Sequence, residues 1–155
     1  MSGTVAEVAG RVPGSCHAIH CNKDRCRVDL KGAPETRLLV DMDCDGLEIP
    51  RQQKRCDYLF VGERGHTTWI APIELKSGGL KAVEVLEQLE GGTGSAHNLL
   101  PEGISFQFVP ILAHGKSIHR NDLKVLRSRK IQLRGQRRVT VLIKCGDPLI
   151  KALHS

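Results

Sequence analysis

Two stretches decide the reading of this chain: Cys56-Asp57-Tyr58-Leu59-Phe60-Val61 and Trp69-Ile70-Ala71-Pro72-Ile73-Glu74-Leu75-Lys76. Both are apolar runs of strand length. The segment between them is short and polar, with Gly62 and Gly65 beside Glu63, Arg64 and His66. Extended runs joined by a few polar, glycine-bearing residues predict an antiparallel hairpin. With the turn centred near Arg64 and Gly65, Asp57 lies opposite Pro72, and Glu74 is one same-face step further. Side chains alternate along a strand, so positions 72, 74 and 76 share a face and Asp57 joins them. Cross-strand neighbours lie roughly 5 to 8 Å apart, close enough for two carboxylates to share a cation. A one-residue slip of register would send Asp57 to the other face.

The residue types suggest a chemistry. Two carboxylates on a strand pair suit a hard divalent cation such as Mg²⁺, or Mn²⁺ in its place. Such an ion polarises a phosphate oxygen and makes a bound water easier to deprotonate. A lysine two residues from a ligating acid can orient that water or offset charge developing on the phosphorus. The alternative is that the acids are edge charges and Lys76 forms an ordinary surface ion pair. Acids are depleted inside strongly apolar strands, which favours the site. His66, between the two strands, reads as an exposed turn residue rather than a base.

Arg55-Cys56-Asp57-Tyr58-Leu59-Phe60-Val61, followed by Ile73-Glu74-Leu75-Lys76-Ser77-Gly78, resembles the PD-(D/E)XK nuclease superfamily. That group includes restriction endonucleases, Holliday-junction resolvases and RecB-type repair nucleases. The resemblance spans roughly residues 37 to 113, and its motif is short and degenerate. It implies a restriction-endonuclease-like α/β fold: a mixed β-sheet core in the order α-β-β-β-α-β, flanked by helices. It implies that Asp57 and Glu74, with Leu75 of the same motif, form the metal site, and that Lys76 is the catalytic lysine. Some RecB-like members carry a glutamine on the following helix, and Gln88 matches it. Cys56 stands where the pattern has proline. The family's further upstream acid has several candidates. Asp41 and Asp43 share a face at the end of the preceding strand, or begin a loop with Asp45 and Gly46, as aspartates often do. Glu7 and Glu35 are weaker candidates.

Composition sets outer bounds. A chain of 155 residues, 40% hydrophobic, is expected to form one globular domain, with a core over about 37–113 and an extension over 114–155. Aromatics make up only 3%, which argues against a base-stacking platform. No apolar stretch is long enough to span a membrane. Met1 to Glu7 lacks a basic start and an apolar h-region, so a cytoplasmic protein is expected.

The net charge is +6, unevenly placed. Between His114 and Arg138 stand Lys116, Arg120, Lys124, Arg127, Arg129, Lys130, Arg134, Arg137 and Arg138 against a single acid, Asp122. That segment nets +8, whereas the remaining 14 basic and 16 acidic residues net −2. A basic block beside a mildly acidic core is the footprint of a phosphate-backbone binder, although a solvated basic helix and hairpin would look the same. Arg51, Lys54 and Arg55 form a smaller basic group leading into Asp57. Nucleic acid, DNA first, is the expected partner, with a homodimer or a larger complex compatible with the size.

Residues 1–15 show no clear pattern beyond a short helix or lead-in. Strands are expected over 26–30 and 37–41, then a loop over 44–54 before the two site strands. Leu80, Val83, Leu86 and Leu89 recur at helical spacing, with Gly91-Gly92 as a stop and a polar loop to Gly103. Phe106 to Ala113 reads as one buried strand despite Pro110. Asn121 caps a short basic helix through Arg129. Residues 131–135 and 139–144 then make a closing strand pair. Six cysteines add a separate question. Cys16, Cys21 and Cys26, with His17 and His20 between, allow a structural zinc, but the spacing is wider than a knuckle. Reduced, unliganded cysteines are expected first, zinc second and disulfides last.

Three functions fit. One is a Mg²⁺-dependent nuclease acting on DNA, in repair or defence. The second is a non-catalytic nucleic-acid-binding module of the same fold. The third is an interaction subunit whose strand acids form ion pairs.

Overall fold

The computed structural model describes residues 3 to 155. Helix α1 (Thr4–Arg11) leads into β1 (His17–Ala18), β2 (Cys21–Lys23) and β3 (Cys26–Val28). Three longer strands follow: β4 (Thr36–Asp41), β5 (Tyr58–Arg64) and β6 (Thr67–Lys76). Helix α2 (Ala82–Leu99) precedes β7 (Gln107–Phe108) and β8 (Ile111–His114). The chain closes with α3 (Arg120–Ser128), β9 (Lys130–Leu133), β10 (Gln136–Val139), β11 (Val141–Lys144) and α4 (Leu149–Leu153).

The fold is a mixed α/β arrangement around one mixed sheet, ordered β1-β4-β5-β6-β8-β11 with β7 also pairing β6. Strands β1, β4, β5 and β6 are antiparallel neighbours, whereas β6, β8 and β11 run parallel. Alternation along the strands gives the sheet two buried faces. Leu38, Val40, Leu59, Val61, Ile70 and Leu112 pack with α1 and α2 through Val5, Val8, Val85, Leu86 and Leu89. Leu39, Phe60, Trp69, Ala71, Ile73 and Ile111 pack beneath the β2–β3 hairpin and α4. Apolar strands covered on both sides explain why β5 and β6 read as nearly continuous hydrophobic runs.

Five sequence expectations are revised. The β5–β6 turn consists of Gly65 and His66, because Arg64 pairs with Thr67. Gly65 has φ +61°, the left-handed conformation that favours glycine in a two-residue turn. Helix α2 does not stop at Gly91-Gly92 but runs on to Leu99. Those glycines allow close approach: a β-carbon on Gly91 would run into the Lys54 carbonyl, and one on Gly92 into the Cys56 sulfur. Leu86 and Leu89 are buried as expected, but Val85 takes the inward place expected of Val83, which is exposed. Phe106 to Ala113 is interrupted at Val109 and Pro110, where no ladder N–H is available from proline. Finally, the C-terminal strand pair divides: β9 pairs with β10, and β11 joins the main sheet beside β8.

Candidate active site

Asp57 precedes β5 directly, and Glu74 and Lys76 lie at the end of β6. The turn is centred one residue later than expected, which moves each partner by two positions and preserves the face. Tyr58 pairs with Ile73, bringing Asp57 beside Glu74 on the side that packs against α2. The Asp57 N–H donates to the Ile73 carbonyl at 3.1 Å and to Glu74 Oε1 at 3.1 Å. In return, the Leu75 N–H donates to Asp57 Oδ2 at 2.7 Å. Leu75 therefore supports the site through its main chain, while its side chain is buried in the opposite core. The close passage of Gly91 and Gly92 presses α2 against Lys54–Cys56, so α2 holds the approach to Asp57.

Both acids are inside the protein: Asp57 is 4% exposed and Glu74 0%. Lys76 Nζ stands 3.3 Å from Glu74 Oε2 as an ion pair, yet that oxygen is buried with no hydrogen bond. Burial above all, then the charge of Asp57, pushes the Glu74 carboxyl up to about 8, against the opposing pull of Lys76. A buried, unbonded carboxylate oxygen beside a second carboxylate is a donor set that fits a hard cation. Gln88 Oε1, on α2, is likewise buried without a partner.

A residue that the sequence reading missed completes the cluster. Lys23, on β2, places Nζ 2.6 Å from Asp57 Oδ1. That hydrogen bond is the main cause of a raised Lys23 pKa, with the charges of Asp43 and Glu74 adding to it. No periodicity links position 23 to position 57. The only local signal is a short hairpin among cysteines, and cysteine spacing draws attention elsewhere.

The further acid is not supplied as a ligand. Among the described residues no three His, Cys, Asp or Glu side chains converge as a metal cluster. Asp41 Oδ1 accepts the Asp43 N–H at 3.0 Å, the turn role expected of it. Glu35 precedes the end of β4 that pairs with Glu63, far along β5 from Asp57. Glu7 is exposed on α1, whose Val5 N–H is held by the Glu63 carboxylate at that same end. Asp43 is exposed and close enough for its charge to act on Lys23.

Among the basic residues, several are engaged by the fold. Arg134 donates to the carbonyls of His97, Leu100 and Pro101 at 2.8, 2.9 and 2.6 Å, closing the C-terminal end of α2. Arg138 donates to Phe108 and Ser155, Arg129 pairs with Glu90 at 3.1 Å, and Arg55 donates to Pro50 at 2.8 Å. Asp122 Oδ1 accepts the Ala82 N–H at 2.9 Å, so the one acid of the basic segment caps α2. His119, not Asn121, caps α3. Arg51, Lys54, Lys116, Arg120, Lys124, Arg127 and Lys130 are exposed. A cleft of about 340 Å³ lined by Lys76, Gly79, Leu80, Lys81 and Glu84 adjoins the site. A larger groove of about 840 Å³ reaches Glu63, Arg64 and Gly65 at the far end of β5, away from Asp57.

The cysteine expectations are corrected. Cys16 bonds to Cys44 and Cys26 to Cys145, leaving Cys21 and Cys56 as buried thiols. Cys16, Cys21 and Cys26 therefore do not converge on a zinc site, because two of them face partners far away in sequence. His66 is exposed in the turn, as expected. No helix is long and apolar enough to cross a membrane among the described residues. In comparisons with known proteins, no family model, no curated protein and no solved structure matches this chain.

Proposed function

We propose that the protein is a metal-dependent nuclease of the PD-(D/E)XK, restriction-endonuclease-like type, hydrolysing phosphodiester bonds of DNA. One observation carries the reading: Glu74, wholly buried beside Asp57, keeps an unbonded carboxylate oxygen while Lys76 stands 3.3 Å away. An arrangement that costs stability persists where function requires it. The element order supports it: α1, three antiparallel strands β4 to β6, α2, then parallel β8.

Asp57, Glu74 and the main chain at Leu75 would hold Mg²⁺ or Mn²⁺. Bound there, the ion would supply Lewis-acid polarisation of a phosphate oxygen and a more acidic water. Lys76 would neutralise charge on the phosphoryl oxygens, and the Gln88 amide would position a water or phosphate from α2. Lys116, Arg120, Lys124 and Arg127, with Arg51 and Lys54, would carry the polyanion. Cleavage of both strands would draw on two copies of the site, hence a homodimer or a larger assembly. Repair and anti-phage defence are settings such an enzyme serves.

A second reading has its own observation. Asp57 and Glu74 each already have a lysine, Lys23 and Lys76. Two neutralised pairs suit a non-catalytic nucleic-acid-binding module, or an interaction subunit. Plasmid, linear and single-stranded DNA incubated with Mg²⁺ or Mn²⁺, beside Glu74→Ala and Lys76→Ala, separates them. Metal-dependent cleavage lost in both variants supports the nuclease. Salt-sensitive binding without cleavage supports the module, and neither supports the interaction subunit.

A cytoplasmic location agrees with the nuclease reading, whereas two disulfides are the mark of an oxidising compartment. Alkylation of thiols in intact cells before lysis distinguishes them: four more reactive cysteines in the denatured protein place it in the cytoplasm.

A further inference from the structure

We propose that Lys23 is a residue of the active site, its ammonium being the resident cation on Asp57 that an incoming metal ion must displace. The inference rests on the metal-site reading above and adds a competitor to it. Both oxygens of Asp57 are engaged: Oδ1 by Lys23 Nζ at 2.6 Å, Oδ2 by the Leu75 N–H at 2.7 Å. The Leu75 contact is fixed, because it comes from the main chain of a central strand. Lys23 is different, a flexible side chain that remains 41% exposed. A divalent ion ligated by Asp57 would lie within a few ångströms of that ammonium, and two cations so close repel strongly inside a protein. Metal entry therefore moves Lys23, not Leu75.

The hairpin that carries Lys23 cannot follow it away. Tyr58 OH donates to the Asn22 carbonyl at 2.8 Å, and the Gly146 N–H donates to the Arg27 carbonyl at 2.6 Å. Cys26 is bonded to Cys145 beside β11. The base of the side chain is pinned, while its tip is held by the Asp57 ion pair and can swing away from it. A displaced Lys23 ammonium stays at the mouth of the site, where the phosphate of a bound nucleic acid would meet it. In the metal-free protein it compensates two buried acids; with metal bound it turns to the phosphate.

Manganese binding to the free protein, followed by the electron paramagnetic resonance of unbound Mn²⁺, tests this without any cleavage. Lys23→Met and Lys23→Gln should bind Mn²⁺ about tenfold more tightly than wild type, and Lys23→Arg should not. Glu74→Ala should bind weakly. A second measurement needs no substitution: acetylation of Lys23 by an activated ester, read by mass spectrometry, should rise several-fold when Mn²⁺ is added. Unchanged or weaker Mn²⁺ affinity in both neutral variants, or labelling that does not rise, overturns the role of Lys23 while the metal site stands. No Mn²⁺ binding by wild type or by either neutral variant removes the metal-site reading itself, and this inference with it.

Discussion

The Asp57 N–H donates to Glu74 Oε1 at 3.1 Å, so the two acids are joined through the main chain of one and the carboxylate of the other. Their spacing is therefore set by the β5–β6 pairing together with the Glu74 rotamer that brings its carboxylate to that N–H. That relationship fixes Glu74 in a dry position next to a second negative charge, and it has a measurable consequence.

Glu74 should make the metal-free protein less stable as pH rises. Its folded-state pKa, about 8, lies above the ordinary value of 4.5, so folding favours the protonated form. The penalty is absent below the unfolded value, grows between about 4.5 and about 8, and is constant above. Thermal melts in chelator should show Tm falling by several degrees across that window. Glu74→Gln should flatten the profile and be the more stable protein at high pH. A wild-type profile parallel to that of Glu74→Gln contradicts this.

Glycines in α2 should respond with opposite signs. Gly→Ala inside a helix ordinarily gains about 1 kcal/mol. Gly94 has open space around it, so Gly94→Ala should stabilise by roughly that amount. Gly92→Ala should instead cost roughly 2 kcal/mol or more, because its β-carbon meets Cys56. Urea titration of the two variants checks the sign.

Basic residues should separate into two groups. Arg134→Ala should lower stability by roughly 2 kcal/mol, since it strips the carbonyls of His97, Leu100 and Pro101 at the end of α2 of their donor. Lys124→Ala with Arg127→Ala should leave Tm nearly unchanged but weaken DNA binding. The slope of log affinity against log salt should fall by roughly 2, about one for each phosphate no longer neutralised. Equal slopes for wild type and the double variant would remove α3 from the interface.

Thiol titration should count the bonds. Native protein should show no reactive thiol, because Cys21 is pushed up to about 12 by burial first and Cys56 further still. Denaturation should expose two thiols, and reduction six. Cys26 and Cys145 close a loop across 119 positions, so their bond should contribute roughly 3 to 5 kcal/mol in the chain-entropy view.

Much of this site is legible in the sequence. Apolar runs of strand length around a glycine-bearing turn identify β5 and β6, and their alternation puts Asp57, Glu74 and Lys76 on one face. The expected turn is one residue early, but a shift of two in register keeps parity, so the face survives the error. Other local signals mislead. Gly91-Gly92 looks like a helix stop, since glycine weakens helices, yet packing against Cys56 outweighs that preference. Pro110 reads as tolerable inside one strand and instead divides it.

Sequence by itself determined what depends on near neighbours: strand periodicity, the two acids and the lysine, and the basic segment that follows. Tertiary structure alone decided what depends on distant partners. Lys23 reaches Asp57 across 34 positions, Cys26 reaches Cys145 across 119, and Arg134 closes a helix 35 residues upstream at Leu99. The physical reason is common to all three. Side-chain alternation is written every second residue, whereas a side chain finds a distant partner only after the sheet has folded the chain back on itself.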